Sequence, residues 1–204
     1  MKRELSPFQL AGLLIVIGTL FSLISSRFMV LIPNISPIMA IAFVGAMYLP
    51  RRWGWLIGPA ILLIINLAYL STNYRADGSM FSWSLLLTLA VYALAGGLGI
   101  LIARRKSLLK IIAGSLACSL LFYVVSNTFS WWTYQTPLFN GGYTPNLAGW
   151  WQANTVGIPG YPPTWLFLRN AMAGDLFFAF VLLMVLDRSV IFGRSPAKTA
   201  TQAA

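Results

Sequence analysis

The chain has 204 residues, of which 58% are hydrophobic and only 9% are charged. Soluble domains carry about 25% charged residues, so this composition excludes an ordinary soluble domain and indicates an integral membrane protein. The net charge of +10 arises from short basic clusters between apolar runs. Nucleic-acid binding needs a basic face on a soluble domain, so this distribution argues against it.

Six apolar runs are predicted to be transmembrane helices that pack in a lipid bilayer. They cover about residues 8–26, 34–49, 55–70, 83–103, 108–131 and 164–186. The first follows a basic start, as in a signal peptide, but its length and the poor cleavage sequence at residues 25–27 favour a retained helix. Pro33 and Pro37 interrupt the second run, which is therefore predicted to start irregularly and to be helical from about Pro37 to Leu49.

The distribution of basic residues predicts the orientation. With six spans and a cytoplasmic N-terminus, 11 of the 14 basic residues lie on the cytoplasmic side, as the positive-inside rule requires. These residues are Lys2, Arg3, Arg51, Arg52, Arg104, Arg105, Lys106, Lys110, Arg188, Arg194 and Lys198. Both termini are then cytoplasmic, and the long loop between helices 5 and 6 is extracytoplasmic. Residues 1–204 form a single transmembrane domain of the inner membrane, with a cytoplasmic tail at 187–204 that is disordered at its end.

The extracytoplasmic loop, residues 132–163 and called the cap below, carries no charge and is rich in Trp, Tyr, Asn, Gly and Pro. Loops of this length are usually functional or disordered, and the aromatic content argues against disorder. Trp131 and the cap aromatics have two interpretations. They stack a flat ligand, or many of them form the aromatic belt at the membrane interface.

Asp175 is the sharpest functional signal, because it lies 11 residues into the 23-residue sixth span. An ionisable side chain near mid-membrane is costly and is by default a candidate for function. Two interpretations stay open. Asp175 contacts a coupling ion or a substrate, or it is a structural carboxylate that is protonated or paired with Arg27 or Arg169. Arg169 lies six residues earlier, about 240° round the helix, so the two side chains do not share a face.

Several other polar residues near the outer ends of the predicted spans are candidates for binding. Arg169 and Asn170 open the sixth span, where arginine recognises anionic or polar groups or extends towards lipid headgroups. Asn34, Asn66 and Asn127 occupy similar positions. Their amides bind a neutral polar solute or connect helices to each other.

An enzymatic function is not expected. The chain has no histidine, and its single cysteine, Cys118, lies in an apolar run and allows neither an intrachain disulfide nor a cysteine-based metal site. The nucleotide-binding GxxxxGK[ST] pattern and the HExxH and GxSxG motifs are missing from the sequence. We therefore predict no catalytic residue, no cofactor and no metal.

Four stretches carry a resemblance to a known class of membrane proteins. They are residues Arg27 to Arg52, Ser126 to Trp132 (SNTFSWW), Asn146 to Ala153 (NLAGWWQA) and Phe167 to Leu182 (FLRNAMAGDLFFAFVL). With six spans and an outward cap, the chain resembles the S components, the substrate-binding subunits of energy-coupling factor vitamin transporters. It resembles more closely an uncharacterised bacterial membrane family with that architecture.

The resemblance implies capture of a vitamin-like or other micronutrient solute from the outer face. It also implies an energy-coupling membrane subunit with ATPases as partner. Asn34, Asn127, Trp131, Arg169, Asn170 and Asp175 would face the solute, with the cap closing over them. The alternative function is a membrane scaffold or assembly subunit that binds a partner protein through the cap, with Asp175 and the asparagines connecting helices. A stand-alone proton-coupled carrier would need a second titratable group in mid-span, and the sequence has none.

Overall fold

A computed structural model of the protein describes residues 5–25, 34–71, 82–135 and 141–192. Within these ranges every regular element is a helix, and a single β-bridge joins Gln135 to Tyr143, so the predicted all-α class is confirmed. The helices are α1 (Pro7–Ser25), α2 (Ile38–Ala40), α3 (Ile57–Ser71), α4 (Trp83–Ile102), α5 (Leu108–Thr133), α6 (Leu147–Ala153), α7 (Thr164–Leu186) and α8 (Ser189–Phe192). Arg27, Arg75 and the end of the predicted tail lie outside the described residues.

Four helical stretches are long and apolar enough to cross a membrane: Pro7–Ser25, Trp83–Arg105, Leu108–Thr133 and Thr164–Leu186. They coincide with the first, fourth, fifth and sixth predicted spans. The third corresponds to the shorter apolar helix Gly54–Tyr69. The second is shorter still, because α2 continues directly into a π-helix, Ile41–Gly45, and then into turns.

Local sequence signals explain where the long helices begin. Ser6 and Gln9 form a reciprocal capping box before α1, in which the Gln9 amide donates to Ser6 Oγ and the Ser6 amide donates to Gln9 Oε1. The side chains of Ser82 and Ser107 accept hydrogen bonds from the amides of Leu85 and Lys110 at the starts of α4 and α5. These serines satisfy amide groups that the first helical turn leaves without partners.

The most deeply buried part of the described chain is the central segment, residues 37–47, in which every residue is buried. Its sequence is apolar on all sides, which is the pattern of a helix enclosed by others. It packs against α1, α3, α4, α5 and α7. The central segment is therefore the core around which the longer helices are arranged.

Two glycines let neighbouring helices approach the central segment. A Cβ atom added at Gly99 on α4 would collide with the carbonyl oxygen of Phe43. One added at Gly114 on α5 would collide with the Phe43 ring. Small residues at such contacts allow close helix packing. A larger residue at position 99 or 114 would collide with Phe43.

The basic turns meet at one end of the molecule. Lys106, in the α4–α5 turn, lies 3.2 Å from Asp187 at the end of α7 and 3.8 Å from the ring centre of Tyr48. Phe8, at the start of α1, stacks on Trp53 at 5.5 Å between ring centres. The start of the described chain, the turn at Arg51 and Arg52, the α4–α5 turn and the end of α7 therefore share one end.

The cap lies at the opposite end, against α5. Inside it is a helix not anticipated from the sequence, α6, whose first turn is capped by the Asn146 side chain. Tyr123 donates a 2.7 Å hydrogen bond to the carbonyl of Asn154, and Trp150 Nε1 donates to Thr128 Oγ1 at 2.8 Å. The cap is thus attached to the last turns of α5.

Candidate functional site

A partly open cavity of about 250 Å³ lies between α1, α3, α4, α5, α7 and the beginning of the central segment. Pockets for drug-sized ligands measure roughly 300–1,000 Å³, so this one suits a smaller solute. It is lined by Ser22, Ser25, Asn34, Ser36, Ile38, Met39, Leu62, Ile65, Tyr69, Tyr92, Phe122, Ala171 and Asp175. Its wall therefore combines hydroxyl, amide and carboxyl groups with aromatic and aliphatic side chains.

Asp175 lies at the cavity wall and is only 5% exposed. Its Oδ2 accepts a 2.6 Å hydrogen bond from the hydroxyl of Ser119 on α5, a group that also lies 3.1 Å from the carbonyl oxygen of Ser115. No lysine or arginine in the described ranges forms an ion pair with Asp175. Arg27, one of the two partners considered from the sequence, lies outside the described residues. The other, Arg169, bonds to Asn170.

The backbone just before the central segment helps to shape the cavity. Asn34 adopts φ +64°, a left-handed conformation that asparagine tolerates better than most residues. The turn at Asn34 leads through Ser36, whose hydroxyl accepts a hydrogen bond from the Ile38 amide. Asn34 and Asp175, far apart in sequence, consequently line the same cavity.

The other four predicted binding residues do not line this cavity. Asn127 donates to the Tyr123 carbonyl of its own helix, and Trp131 Nε1 donates to the Thr144 carbonyl in the cap. The exposed Arg169 guanidinium donates to Asn170 Oδ1 and lies 5.9 Å from the ring centre of Trp165. The structure thus brings together two of the six candidates, and a binding role for the rest stays a prediction.

Sequence reasoning missed the hydroxyl and aromatic groups of the cavity, notably Ser22, Ser25, Ser36, Tyr69 and Tyr92. The available signal was the occurrence of serine and tyrosine inside or beside apolar helices, since polar groups in such places usually have a partner or a ligand. It also missed Ser119, the hydrogen-bond donor to Asp175.

A second polar cluster lies at the basic end, around Asp187. Hydrogen bonds from Ser189 and Lys106, with the positive charge of Lys106, hold the pKa of the Asp187 carboxyl below its ordinary value. The Tyr48 hydroxyl donates to the same carboxylate at 3.4 Å. This cluster connects three chain segments and forms the ion pair found in the described part of the protein.

The described chain is therefore an all-helical protein with four helices long enough to cross a membrane and a partly open cavity with one buried carboxyl group in its wall. More particularly, it belongs to the Family of unknown function (DUF6580), which it matches over residues 8–190. This agrees with the expectation of an uncharacterised family. Neither the curated proteins nor the solved structures gave a match.

Proposed function

We propose that the protein spans the inner membrane six times, with both termini in the cytoplasm and the cap outside. The proposal is supported by the meeting of the basic turns at one end, around Lys106, Asp187 and Tyr48. In this orientation the short central segment and α3 complete the six spans, and the central segment packs against α1, α3, α4, α5 and α7. Broken or short helices are tolerated at membrane depth when protein surrounds them, as it surrounds residues 37–47.

In this membrane orientation the protein captures a small solute from the outer face, as the substrate-binding subunit of a transporter. The observation that carries the proposal is the cavity with Asp175 in its wall. Two of the wall residues, Ser22 and Ser25, belong to the C-terminal end of α1. Tyr69 lies near the end of α3. These positions are on the outer side in the proposed orientation, so a solute would reach the cavity from outside.

The proposed mechanism divides the work between two sets of residues. The Asn34 amide, the serine hydroxyls and Asp175 fix the polar groups of the solute, while aliphatic residues such as Ile65 and Met39 contact its apolar part. The solute then passes to an energy-coupling membrane subunit with ATPases, as the resemblance to S components implies. The exposed apolar side of α1, with Leu13, Ile17 and Leu20, is available to lipid or to that subunit.

Native mass spectrometry of protein extracted gently from its host membrane tests the proposal. We expect a small non-lipid mass above the 22.5 kDa of the chain, retained in the folded wild type and lost in Asp175→Asn. ATPases in the same complex would identify an energised transporter. A folded protein that never carries such a mass would refute solute capture.

One observation favours the alternative of a scaffold subunit. The cap exposes large apolar side chains, including Trp132, Leu147, Trp151 and Tyr161, and such patches mark protein or membrane contacts. A stable complex with another protein and no small ligand in the same experiment would support this alternative.

A further inference from the structure

The described wall of the cavity carries an acidic side chain but no basic one. Among the described residues that line the cavity, Asp175 is the single acidic side chain and none is lysine or arginine. The remaining polar groups are the amide of Asn34 and the hydroxyls of serine and tyrosine. A solute with a negative charge would find the Asp175 carboxylate in the wall and no described cation to offset it.

A single hydroxyl donor does not offset the cost of burying the charged form of Asp175. Burial of an ion is costly unless it is paired and hydrogen-bonded. The described hydrogen bond to Asp175 comes from the hydroxyl of Ser119, which has one hydrogen and a second acceptor nearby, the carbonyl of Ser115. A positively charged donor in the cavity would complete this arrangement.

Three aromatic side chains line the same cavity: Tyr69, Tyr92 and Phe122. Tyr92 and Phe122 meet edge to face, with ring centres 5.8 Å apart and planes at 76°, and Tyr69 lies on α3 nearby in the lining. Cations are attracted to the faces of aromatic rings within about 6 Å, most strongly where water is excluded. Aromatic rings and a carboxyl group in one cavity wall are a combination that suits recognition of ammonium groups.

From this combination we infer that the captured solute carries a cationic nitrogen, which pairs with Asp175 and lies against the rings of Tyr92 and Phe122. The inference rests on the proposed function, since it names the solute class for the same cavity. That class is small organic amines and quaternary ammonium compounds, with an apolar remainder that contacts Ile65 and Met39. Within the described part of the wall, an anionic solute would meet the Asp175 carboxyl group and no lysine or arginine.

Three probes of nearly equal size test the charge preference: benzylammonium, benzyl alcohol and benzoate at pH 7. Their binding is measured by calorimetry on the purified full chain in lipid nanodiscs. We expect wild type to bind benzylammonium most tightly, and Asp175→Asn to bind it about 30-fold or more weakly, as loss of one partner of a buried charge pair does. Binding of benzyl alcohol should change little.

Asp187→Asn is the matched control, because it removes the other carboxylate of the described residues, 12 positions and about 18 Å further along α7. It should retain the preference for the amine. If Asp175→Asn does not fold, Phe122→Leu replaces it and should weaken benzylammonium binding more than benzyl alcohol binding.

The outcomes separate the two proposals. If benzyl alcohol or benzoate binds wild type as tightly as the amine, or if Asp175→Asn keeps the amine preference, the cationic class is wrong although solute capture stands. If no probe binds, the solute found by native mass spectrometry decides: a solute without a cationic nitrogen overturns the cationic class, and one with a cationic nitrogen supports it. Failure of both measurements overturns both proposals.

Discussion

The hydroxyl of Ser119 on α5 donates a 2.6 Å hydrogen bond to Oδ2 of Asp175 on α7, and both residues are buried. The two positions are 56 residues apart in the sequence. This bond joins two of the long helices at the point where the cavity wall carries its acidic group. Asp175 therefore has a partner within the protein, Ser119, and also lines the cavity that we propose to hold the solute.

Ser119→Ala should lower the free energy of unfolding by about 1–3 kcal/mol, because it leaves a buried acceptor without its donor. Thermal or chemical unfolding in nanodiscs measures the change. Ser126→Ala is the control, since the Ser126 hydroxyl bonds to the Tyr123 carbonyl of its own helix, and it should cost a few tenths of a kcal/mol.

A double-mutant cycle with Asp175→Asn then measures the contact itself. We expect a coupling energy of about 0.5–3 kcal/mol between positions 119 and 175. Strict additivity would show that the hydrogen bond does not contribute to stability.

Gly99→Ala should destabilise the protein by about 1–3 kcal/mol, because the added methyl group meets the Phe43 carbonyl and the central segment has no room to move away. Gly97→Ala, two residues earlier on the same helix, has no atom within 4 Å of the added Cβ. It should be neutral or stabilising by up to about 1 kcal/mol. Equal effects of the two substitutions would contradict the packing described for Phe43.

The ion pair between Lys106 and Asp187 should give a pH-dependent contribution to stability. Because the folded pKa of Asp187 lies below the ordinary value of 3.8, its contribution is present above that value and is lost as the pH falls through the folded pKa. The pair is partly exposed, so about 0.2–1 kcal/mol is expected.

Unfolding of wild type and Asp187→Asn between pH 7 and pH 3 measures this contribution. The difference should be constant at pH 7–5 and should shrink below about pH 4. Arg105→Met, which removes an exposed charge from the same turn, is the control and should show no such trend. A difference that grows towards acid would reverse the sign that we assign.

Tyr123→Phe should loosen the cap, because it removes the 2.7 Å hydrogen bond to the Asn154 carbonyl. Loss of this partly buried hydrogen bond should cost about 0.5–1.5 kcal/mol. Hydrogen exchange of the α6 amides should therefore become faster, by about 2–12-fold. The exposed Tyr161 gives the control, Tyr161→Phe, in which exchange should stay at the wild-type rate.

Arg169→Ala should leave solute capture intact, because the guanidinium is outside the cavity and bonds to Asn170. Native mass spectrometry should detect the same bound mass as in wild type, in contrast to Asp175→Asn. Loss of the mass in Arg169→Ala would restore the role expected from the sequence and would indicate a second site near the cap.

Much of the architecture follows from the sequence. The length and apolarity of four runs determine four helices that can cross a membrane, because hydrophobic content over about 20 residues is a local property. Pro33 and Pro37 indicated that the second run is irregular and short. The position of Asp175 within a long apolar run likewise indicated a buried carboxyl group.

Only the tertiary structure decided which residues meet. The long helices are apolar on nearly every side, so no polar stripe tells which face turns inward. Tyr69, Tyr92, Ser119 and Asp175 come from four different helices, and their meeting depends on how those helices pack around the central segment. Gly99 and Gly114 allow α4 and α5 to pack closely against Phe43 of that segment. Contacts between distant parts of a chain are a property of the packed core, and the linear sequence does not state them.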